Sequence, residues 1–108
     1  MLHIRAIVRP EKAAIVMKAL LDNGFPAITK TQVHGRGKQR GLVVGNITYD
    51  EISKTSLMLV INDCDKDIVV QTIIESARTE PRGQFGDGKI FISPVLEAWS
   101  ISNGLKGL

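Results

Sequence analysis

The sequence predicts an α+β fold in which two helices cover one face of an antiparallel sheet of four strands. Two segments alternate apolar and polar residues with the period of a half-buried strand, and each is followed by a segment with helical periodicity. A length of 108 residues suits one domain with a single two-layer core. We therefore treat residues 1–108 as one domain with two similar halves.

The first half of the chain is predicted to form a strand, a helix and a second strand. The first strand covers residues 2–8, and its inward-facing residues are Leu2, Ile4, Ala6 and Val8. Pro10 suits the first turn of a helix, where its missing N–H is not needed, and Gly24 marks the helix end. A second strand with weaker alternation is expected over 27–33.

The second half repeats this order. The segment TSLMLVIND, residues 55–63, predicts a third strand, and Asp63 or Asp65 could cap the helix that follows. The apolar face of this helix comprises Val69, Val70, Ile73, Ile74 and Ala77. A glycine-rich connection over 79–88 leads to a fourth strand, KIFISPV. The order strand, helix, strand, strand, helix, strand is that of a ferredoxin-like fold.

This fold leaves one face of the sheet without a helix. Its apolar residues are Ile7, Met58 and Val60, which lie beside Arg5 and Ser56. That is more apolar surface than a monomer usually exposes. We expect self-association through this face, which would create clefts between subunits where a ligand could bind.

Composition limits the classes of function. The net charge of +3 favours anionic ligands, and it suits phosphates and carboxylates as well as nucleic acid. The single cysteine, Cys64, suits a cytoplasmic location, and no apolar run is long enough to span a membrane. An aromatic content of 5% argues against base stacking on single-stranded nucleic acid. No combination of nucleophile, base and orienting residue is evident, so we expect that the protein is not an enzyme.

The segment GQFGDGK, residues 83–89, has the glycine and lysine spacing of a phosphate-binding loop. Ile90 replaces the Ser or Thr that would hold Mg²⁺, and a strand follows instead of a helix, so a nucleotide hydrolase is not expected. The glycine N–H groups could still form a nest for an anion. A simple hairpin connection is the alternative.

A basic, glycine-rich stretch, VHGRGKQRGLVVGN, follows the second strand. Residues 36–53 carry almost no core pattern, and we expect them to form one long loop. Loops longer than about 12 to 15 residues in compact domains are usually functional. Gln39 within it could offer its carbonyl oxygen to a metal, and a solvated turn is the alternative interpretation.

Four motifs in matching order carry a resemblance to a known family: IRAIVRPEK, GRGKQRGL, Lys54 and FGDGKIFISPV. Over nearly the whole chain they resemble the PII family of nitrogen-regulatory signalling proteins. The resemblance implies the same ferredoxin-like fold and assembly into trimers. It also implies clefts between subunits that bind ATP or ADP and, with ATP and Mg²⁺, the effector 2-oxoglutarate.

The resemblance assigns site residues. For the nucleotide they are Thr29, Lys38, Val60, Gly86, Gly88 and Lys89. For 2-oxoglutarate they are Gly37, Gln39, Gly41 and Lys54, with Gln39 also contacting Mg²⁺ and Lys54 pairing with the distal carboxylate. We expect the loop of residues 36–53 to dock onto a partner. Arg36 and Arg40 would favour an acidic surface, and Tyr49 would be an anchor.

Two departures from the usual family sequence bear on the nucleotide. The connection RTEPRGQFGDGK is longer than the common form. In the C-terminal segment, residues 94–108, Ser100 and Ser102 stand where relatives usually carry arginines that hold the terminal phosphates. We expect a weaker preference for ATP over ADP, unless Arg78 or Arg82 compensates.

The short central loop and the VRPEK and GRGKQRGL motifs resemble the branch of the family that accompanies nitrogenase. This implies a homotrimer, or a hetero-oligomer with a PII paralogue, that inhibits nitrogenase through its dinitrogenase component until 2-oxoglutarate and ATP relieve the inhibition. Binding to nucleic acid and membrane insertion are not expected. The alternatives are a PII-type regulator of an ammonium transporter and, outside the family, a basic RNA-binding ferredoxin-like domain.

Overall fold

The computed structural model describes residues 1–36, 42–44, 47–49 and 52–108, with only the backbone described for 42–44 and 47–49. The strands are β1 (Leu2–Val8), β2 (Thr29–Gly35), β3 (Leu42–Val44), β4 (Ile47–Tyr49), β5 (Ile52–Ile61) and β6 (Gly88–Pro94), and the helices are α1 (Ala13–Asp22) and α2 (Lys66–Ala77). A short 3-10 turn leads into each helix. Neither helix in these ranges has the length and apolar run that crossing a membrane requires.

The main sheet has four strands in the order β2-β5-β1-β6, and each neighbouring pair is antiparallel. Both crossovers between non-neighbouring strands pass through a helix. The predicted α+β, ferredoxin-like architecture is therefore confirmed.

The prediction of one loop over 36–53 was wrong in part. The segments LVV and ITY form β3 and β4, which pair with each other as a separate antiparallel sheet of two strands. β5 also begins at Ile52, three residues before the predicted start at 55. Both triplets are rich in β-branched and aromatic residues and lie two residues apart in the sequence, a spacing typical of a hairpin. The search for a core pattern missed this signal, because these short strands do not follow the alternation of the main sheet.

The core lies between the helices and one face of the sheet. Its buried residues are Ile4, Ala6, Val8, Ala13, Val16, Leu20, Leu57, Leu59, Ile61, Val69, Ile73 and Ala77. Alternate residues of β1 and β5 meet one stripe of each helix, as the two periodicities require. Val70 and Ile74 of α2 are half-buried at the margin of this core.

The start of α2 differs from the expected side-chain cap. Among the described residues, neither Asp63 nor Asp65 makes a capping hydrogen bond to the helix. The carboxylate of Asp63 instead lies 2.9 Å from the N-terminal ammonium of Met1. This ion pair joins the beginning of β1 to the turn that follows β5.

The face of the sheet opposite the helices is open. Arg5 lies between Met58 on β5 and Phe91 on β6, and these two apolar side chains are 38% and 54% exposed. The Arg5 guanidinium donates a hydrogen bond from Nε to Oγ of buried Ser56 at 3.2 Å. Exposed apolar surface on this face is therefore confirmed for Met58. Ile7 and Val60 are half-buried within one chain.

Candidate ligand-binding site

A cavity of about 490 Å³ lies at one end of the open face. It forms where β1 ends, β5 and β6 begin and the chain leaves β2. Its lining residues are Ile7, Gly35, Arg36, Ile52, Lys54, Phe85, Gly86, Gly88, Lys89 and Phe91. The volume is in the range of small-molecule sites, and three cationic side chains at an otherwise apolar wall suit an anionic ligand.

Four of the predicted site residues meet in this cavity: Lys54, Gly86, Gly88 and Lys89. They come from two distant parts of the sequence. Antiparallel pairing brings them together, because β5 and β6 both flank β1 and both begin at the end of β1. Arg36, predicted to contact a partner, also lines this cavity.

Two other predicted residues, Thr29 and Val60, do not line the cavity within one chain. Thr29 lies opposite Met58, which is four residues along β5 from Lys54, and Val60 is two residues further along. Ser100 and Ser102 lie in the C-terminal segment and do not line the cavity either.

Several predicted residues lie outside the part of the chain whose side chains are described. They are Gly37, Lys38, Gln39, Arg40, Gly41 and Tyr49. Their roles therefore remain predictions.

The connection between α2 and β6 is organised by the carboxylate of Asp87. Its Oδ2 accepts hydrogen bonds from the backbone N–H groups of Thr79 at 3.0 Å and Gln84 at 2.8 Å, and its Oδ1 accepts one from the Thr79 hydroxyl at 2.5 Å. The N–H of Gly83 also donates to the carbonyl of Thr79 at 2.6 Å. These bonds close the connection into a ring.

Arg9 joins this ring to the end of β1. Its Nε donates to Oδ1 of Asp87 at 3.0 Å, and its Nη2 donates to the carbonyl of Phe85 at 2.8 Å. The side chains of Arg9 and Asp87 are 27% and 19% exposed, so the ion pair is partly shielded from water. We call the pair of side chains, Arg9 and Asp87, the clamp.

Sequence reasoning missed the clamp, although a signal was present. Arg9 directly follows β1 and Asp87 directly precedes β6. Once these strands are paired antiparallel, with Val8 opposite Gly88, the two side chains must lie at the same end of the sheet. Opposite charges at such positions favour an ion pair.

Gly88 is required by its position. Its φ is +120°, and a Cβ added there would lie 1.8 Å from the carbonyl oxygen of Ile7. Any larger residue would force the backbones of β1 and β6 apart. The glycine predicted for ligand binding is therefore also needed for the close approach of these two strands.

Lys54 contacts the same connection from β5. Its Nζ donates a hydrogen bond to the carbonyl of Gly86. Burial and the nearby Arg9 guanidinium lower the pKa of Lys54, and the carboxylates of Glu11 and Asp87 partly oppose them. An additional negative charge in the cavity would therefore stabilise the Lys54 ammonium.

The pKa of Asp87 is held below its ordinary value of 3.8. Burial alone would raise it, but hydrogen bonds from Thr79, Gln84 and Arg9 together outweigh burial. Asp87 is therefore ionised throughout the physiological range, and the clamp keeps its charge there.

The predicted magnesium contact, Gln39, lies outside the described residues, and the roles of Arg78 and Arg82 stay predictions. Among the described residues, no group of three or more His, Cys, Asp or Glu side chains could hold a metal ion. Arg78 lines a different cavity, between α2 and β6 on the helix side of the sheet, and Arg82 lines a surface pocket beside Gln84.

Known proteins are similar to this chain over nearly its whole length. The family model for nitrogen regulatory protein P-II matches residues 1–104. The chain belongs to the P-II family. This confirms the resemblance found in the sequence and makes the interpretation as an RNA-binding domain outside the family untenable. The family consists of signalling regulators and not of enzymes, and its proteins form trimers.

Similar proteins come from methanogenic archaea and from a plant. The chain is 52% identical to "Nitrogen fixation nifHD region GlnB-like protein 1" of Methanothermobacter marburgensis and 48% identical to "Nitrogen fixation nifHD1 region GlnB-like protein 1" of Methanosarcina barkeri. In both cases the match covers 97% of each chain. The crystal structure of Arabidopsis thaliana PII bound to citrate superposes with a TM-score of 0.80 at 33% identity, covering 98% of this chain and 84% of that one.

Proposed function

We propose that this P-II family protein senses adenine nucleotide and 2-oxoglutarate and regulates nitrogen fixation by binding the dinitrogenase component of nitrogenase. The observation that carries the proposal is the cavity at the end of the sheet, which combines the glycine connection with Lys54 and Lys89. Family membership and the nifHD-region names of its relatives supply the biological setting.

The described residues suit phosphate groups. Lys89 and Arg36 bring positive charge to the cavity, and Gly86 and Gly88 allow a ligand to approach the backbone closely. Within the described part of the chain, the N–H groups of Phe85 and Gly86 have no hydrogen-bond acceptor. Successive free N–H groups of this kind can bind an anion. We assign the nucleotide phosphates to this connection.

The second ligand would be a dicarboxylate held by Lys54. The Lys54 ammonium is half-buried and pairs with a neutral carbonyl, that of Gly86. A carboxylate would replace this neutral acceptor with a charged one, and such hydrogen bonds are roughly twice as strong. The citrate bound by the Arabidopsis relative is also a polycarboxylate, which supports this ligand class.

Nucleotide binding would be completed by groups beyond this cavity. Gln39 would hold Mg²⁺ together with the phosphates, and Lys38 would add a cation. Magnesium would supply positive charge between the phosphates and the keto acid. Thr29 and Val60 do not line this cavity within one chain, so we propose that a neighbouring subunit supplies them.

Lys54→Ala tests the effector site. The variant should lose binding of 2-oxoglutarate, because the distal carboxylate would be desolvated without a charged partner. Isothermal titration calorimetry with Mg²⁺ and ATP present measures this. Lys30→Ala is the matched control, since Lys30 is exposed on β2 and does not line the cavity. Unchanged binding by Lys54→Ala would show that the effector binds elsewhere.

Deletion of residues 42–50 tests the partner. These residues include the small sheet of β3 and β4, outside the main sheet and its core. The deletion should abolish inhibition of purified nitrogenase and leave the trimer and nucleotide binding intact. Normal inhibition by the shortened protein would overturn the docking role. Ligand binding by a full-length protein that leaves nitrogenase active would point to another target, such as an ammonium transporter.

A further inference from the structure

The ends of the glycine connection are held by side chains that do not themselves line the ligand cavity. Arg9 and Asp87 do not line the cavity, whereas Gly86 and Lys89 do, and Arg9 binds Asp87, which lies between them in the sequence. The two side chains span 78 positions of sequence, and the clamp that they form is better shielded than the exposed ion pair of Lys18 and Asp22. The clamp is therefore in a position to shape the cavity wall.

Arg9 is itself fixed in place. Its backbone is extended, with φ of −61° and ψ of 139°, and the following Pro10 favours that conformation. Its carbonyl accepts a hydrogen bond from the N–H of Lys12 at 2.9 Å. The guanidinium therefore projects from a rigid turn at the end of β1.

The hydrogen bond from Arg9 to the Phe85 carbonyl sets the direction of the next N–H. In a trans peptide the C=O and N–H point to opposite sides. Because the Phe85 carbonyl points toward Arg9, the N–H of Gly86 points away from Arg9. No acceptor for this N–H, or for that of the adjacent Phe85, lies among the described residues.

Asp87 fixes the other side of the same peptide segment. Its carboxylate gathers the N–H groups of Thr79 and Gln84 and holds Nε of Arg9. Those two N–H groups are thereby occupied and cannot bind a ligand. The carboxylate thus selects which N–H groups of the connection remain available.

We propose that Arg9 and Asp87 are positioning residues that orient the Gly86 N–H toward the phosphate groups of the bound nucleotide. The inference rests on the proposed nucleotide-binding function. Asp87 would then favour phosphate binding by orienting an N–H group. Its negative charge alone would oppose the binding of an anion.

The variant Asp87→Asn distinguishes an orienting role of the Asp87 hydrogen bonds from the electrostatic effect of its negative charge on ATP binding. Removing a negative charge would tighten the binding of ATP if only electrostatics mattered. The clamp predicts the opposite, a loss of about tenfold or more, because an amide cannot accept all four hydrogen bonds. Calorimetry with ATP measures the sign. Binding that is tighter than or equal to that of the wild type overturns the proposal.

Arg9→Lys provides a second test if Asp87→Asn does not fold. Lysine keeps the positive charge but lacks the fork that reaches both the Phe85 carbonyl and the Asp87 carboxylate. ATP affinity should fall by about tenfold or more, and Lys18→Gln, which changes an exposed lysine on α1, should bind like the wild type. Wild-type affinity in Arg9→Lys would contradict the proposal.

Amide NMR provides a readout that a general loss of stability would not reproduce. On addition of ATP to the wild type, the Gly86 N–H signal should move strongly downfield, and in Arg9→Lys this shift should be lost while the signals of the β1–β6 ladder stay in place. The same Gly86 shift in wild type and variant would overturn the assignment. A wild type that binds no ATP would instead refute the proposed function itself, so the two failures are distinguishable.

Discussion

Two irregular segments of the molecule, the connection 79–87 and the C-terminal segment 95–108, use their hydrogen bonds in different ways. The connection is tied to the sheet by Arg9, Lys54 and its own Asp87. The C-terminal segment bonds mainly to itself, with a bridge between Trp99 and Lys106. The N–H of Val95 also donates a hydrogen bond to the carbonyl of Met1, just before β1, at 3.0 Å.

Both segments expose apolar side chains, and Phe85 in the connection is 82% exposed. In the C-terminal segment Leu96 is 93% exposed, and Trp99 and Leu105 are 60% and 64% exposed. Because these side chains stay largely exposed within one chain, they contribute little hydrophobic stabilisation to the single chain. The difference in hydrogen bonding indicates that the connection is shaped within one chain. We expect the exposed apolar side chains of both segments to contact another chain.

The largest expected effect of a single change is at Gly88. Gly88→Ala should destabilise the protein by about 3 kcal/mol or more, because the Cβ would collide with the Ile7 carbonyl. Gly104→Ala in the C-terminal segment also has a positive φ, of +68°, but has open space around it, so its cost should be about 1 kcal/mol. Urea denaturation of both variants measures the contrast. Equal losses would show that the close approach of β6 to β1 does not constrain Gly88 more than the open surroundings constrain Gly104.

A charge on the open face should disrupt the proposed trimer. Met58 is exposed beside Phe91 and Arg5, and Met58→Asp would place a carboxylate in the apolar surface that we expect to be buried between subunits. Trimer formation should weaken by about a hundredfold or more. Analytical ultracentrifugation across a range of protein concentrations measures it. A variant that remains as firmly trimeric as the wild type would exclude this face from the interface.

The clamp should make stability depend on pH. Because the folded-state pKa of Asp87 lies below 3.8, its stabilisation is fully present above that value and is lost as the pH falls toward the folded-state pKa. Asp87→Asn should cost about 2 kcal/mol near pH 7 and less at pH 3. The free energy of unfolding of the wild type and the variant is measured at both values. A difference that grows toward low pH would contradict the depressed pKa of Asp87.

The smallest expected effect is at Trp99 when the chain is monomeric. In the Met58→Asp background, Trp99→Ser should change stability by less than about 1 kcal/mol, since the indole is already 60% exposed. In the trimeric wild-type background the cost should be larger, if the C-terminal segment contacts another subunit. Comparing the two backgrounds in a double-mutant cycle measures this coupling. Equal costs would confine the role of Trp99 to its own chain.

The strands and helices with a clear hydrophobic periodicity were predicted from the sequence. Contacts between residues that are distant in the sequence were missed. The alternation in β1 and β5 identified the sheet. The spacing of glycines and lysine along the chain singled out Gly88 and Lys89, which line the cavity. The clamp could not be read in this way, because Arg9 and Asp87 meet only through the antiparallel register of β1 and β6. β3 and β4 were missed because a triplet is too short to show a period.

The central claim is that the cavity binds an effector dicarboxylate only together with a nucleotide. Titration of 2-oxoglutarate into the wild-type protein, with and without Mg²⁺ and ATP, tests this most directly. We expect saturable binding with Mg²⁺ and ATP and no binding without them, because the phosphates, the metal and Lys54 together complete the site. Binding of equal strength in the absence of nucleotide, or no binding in its presence, would contradict the account.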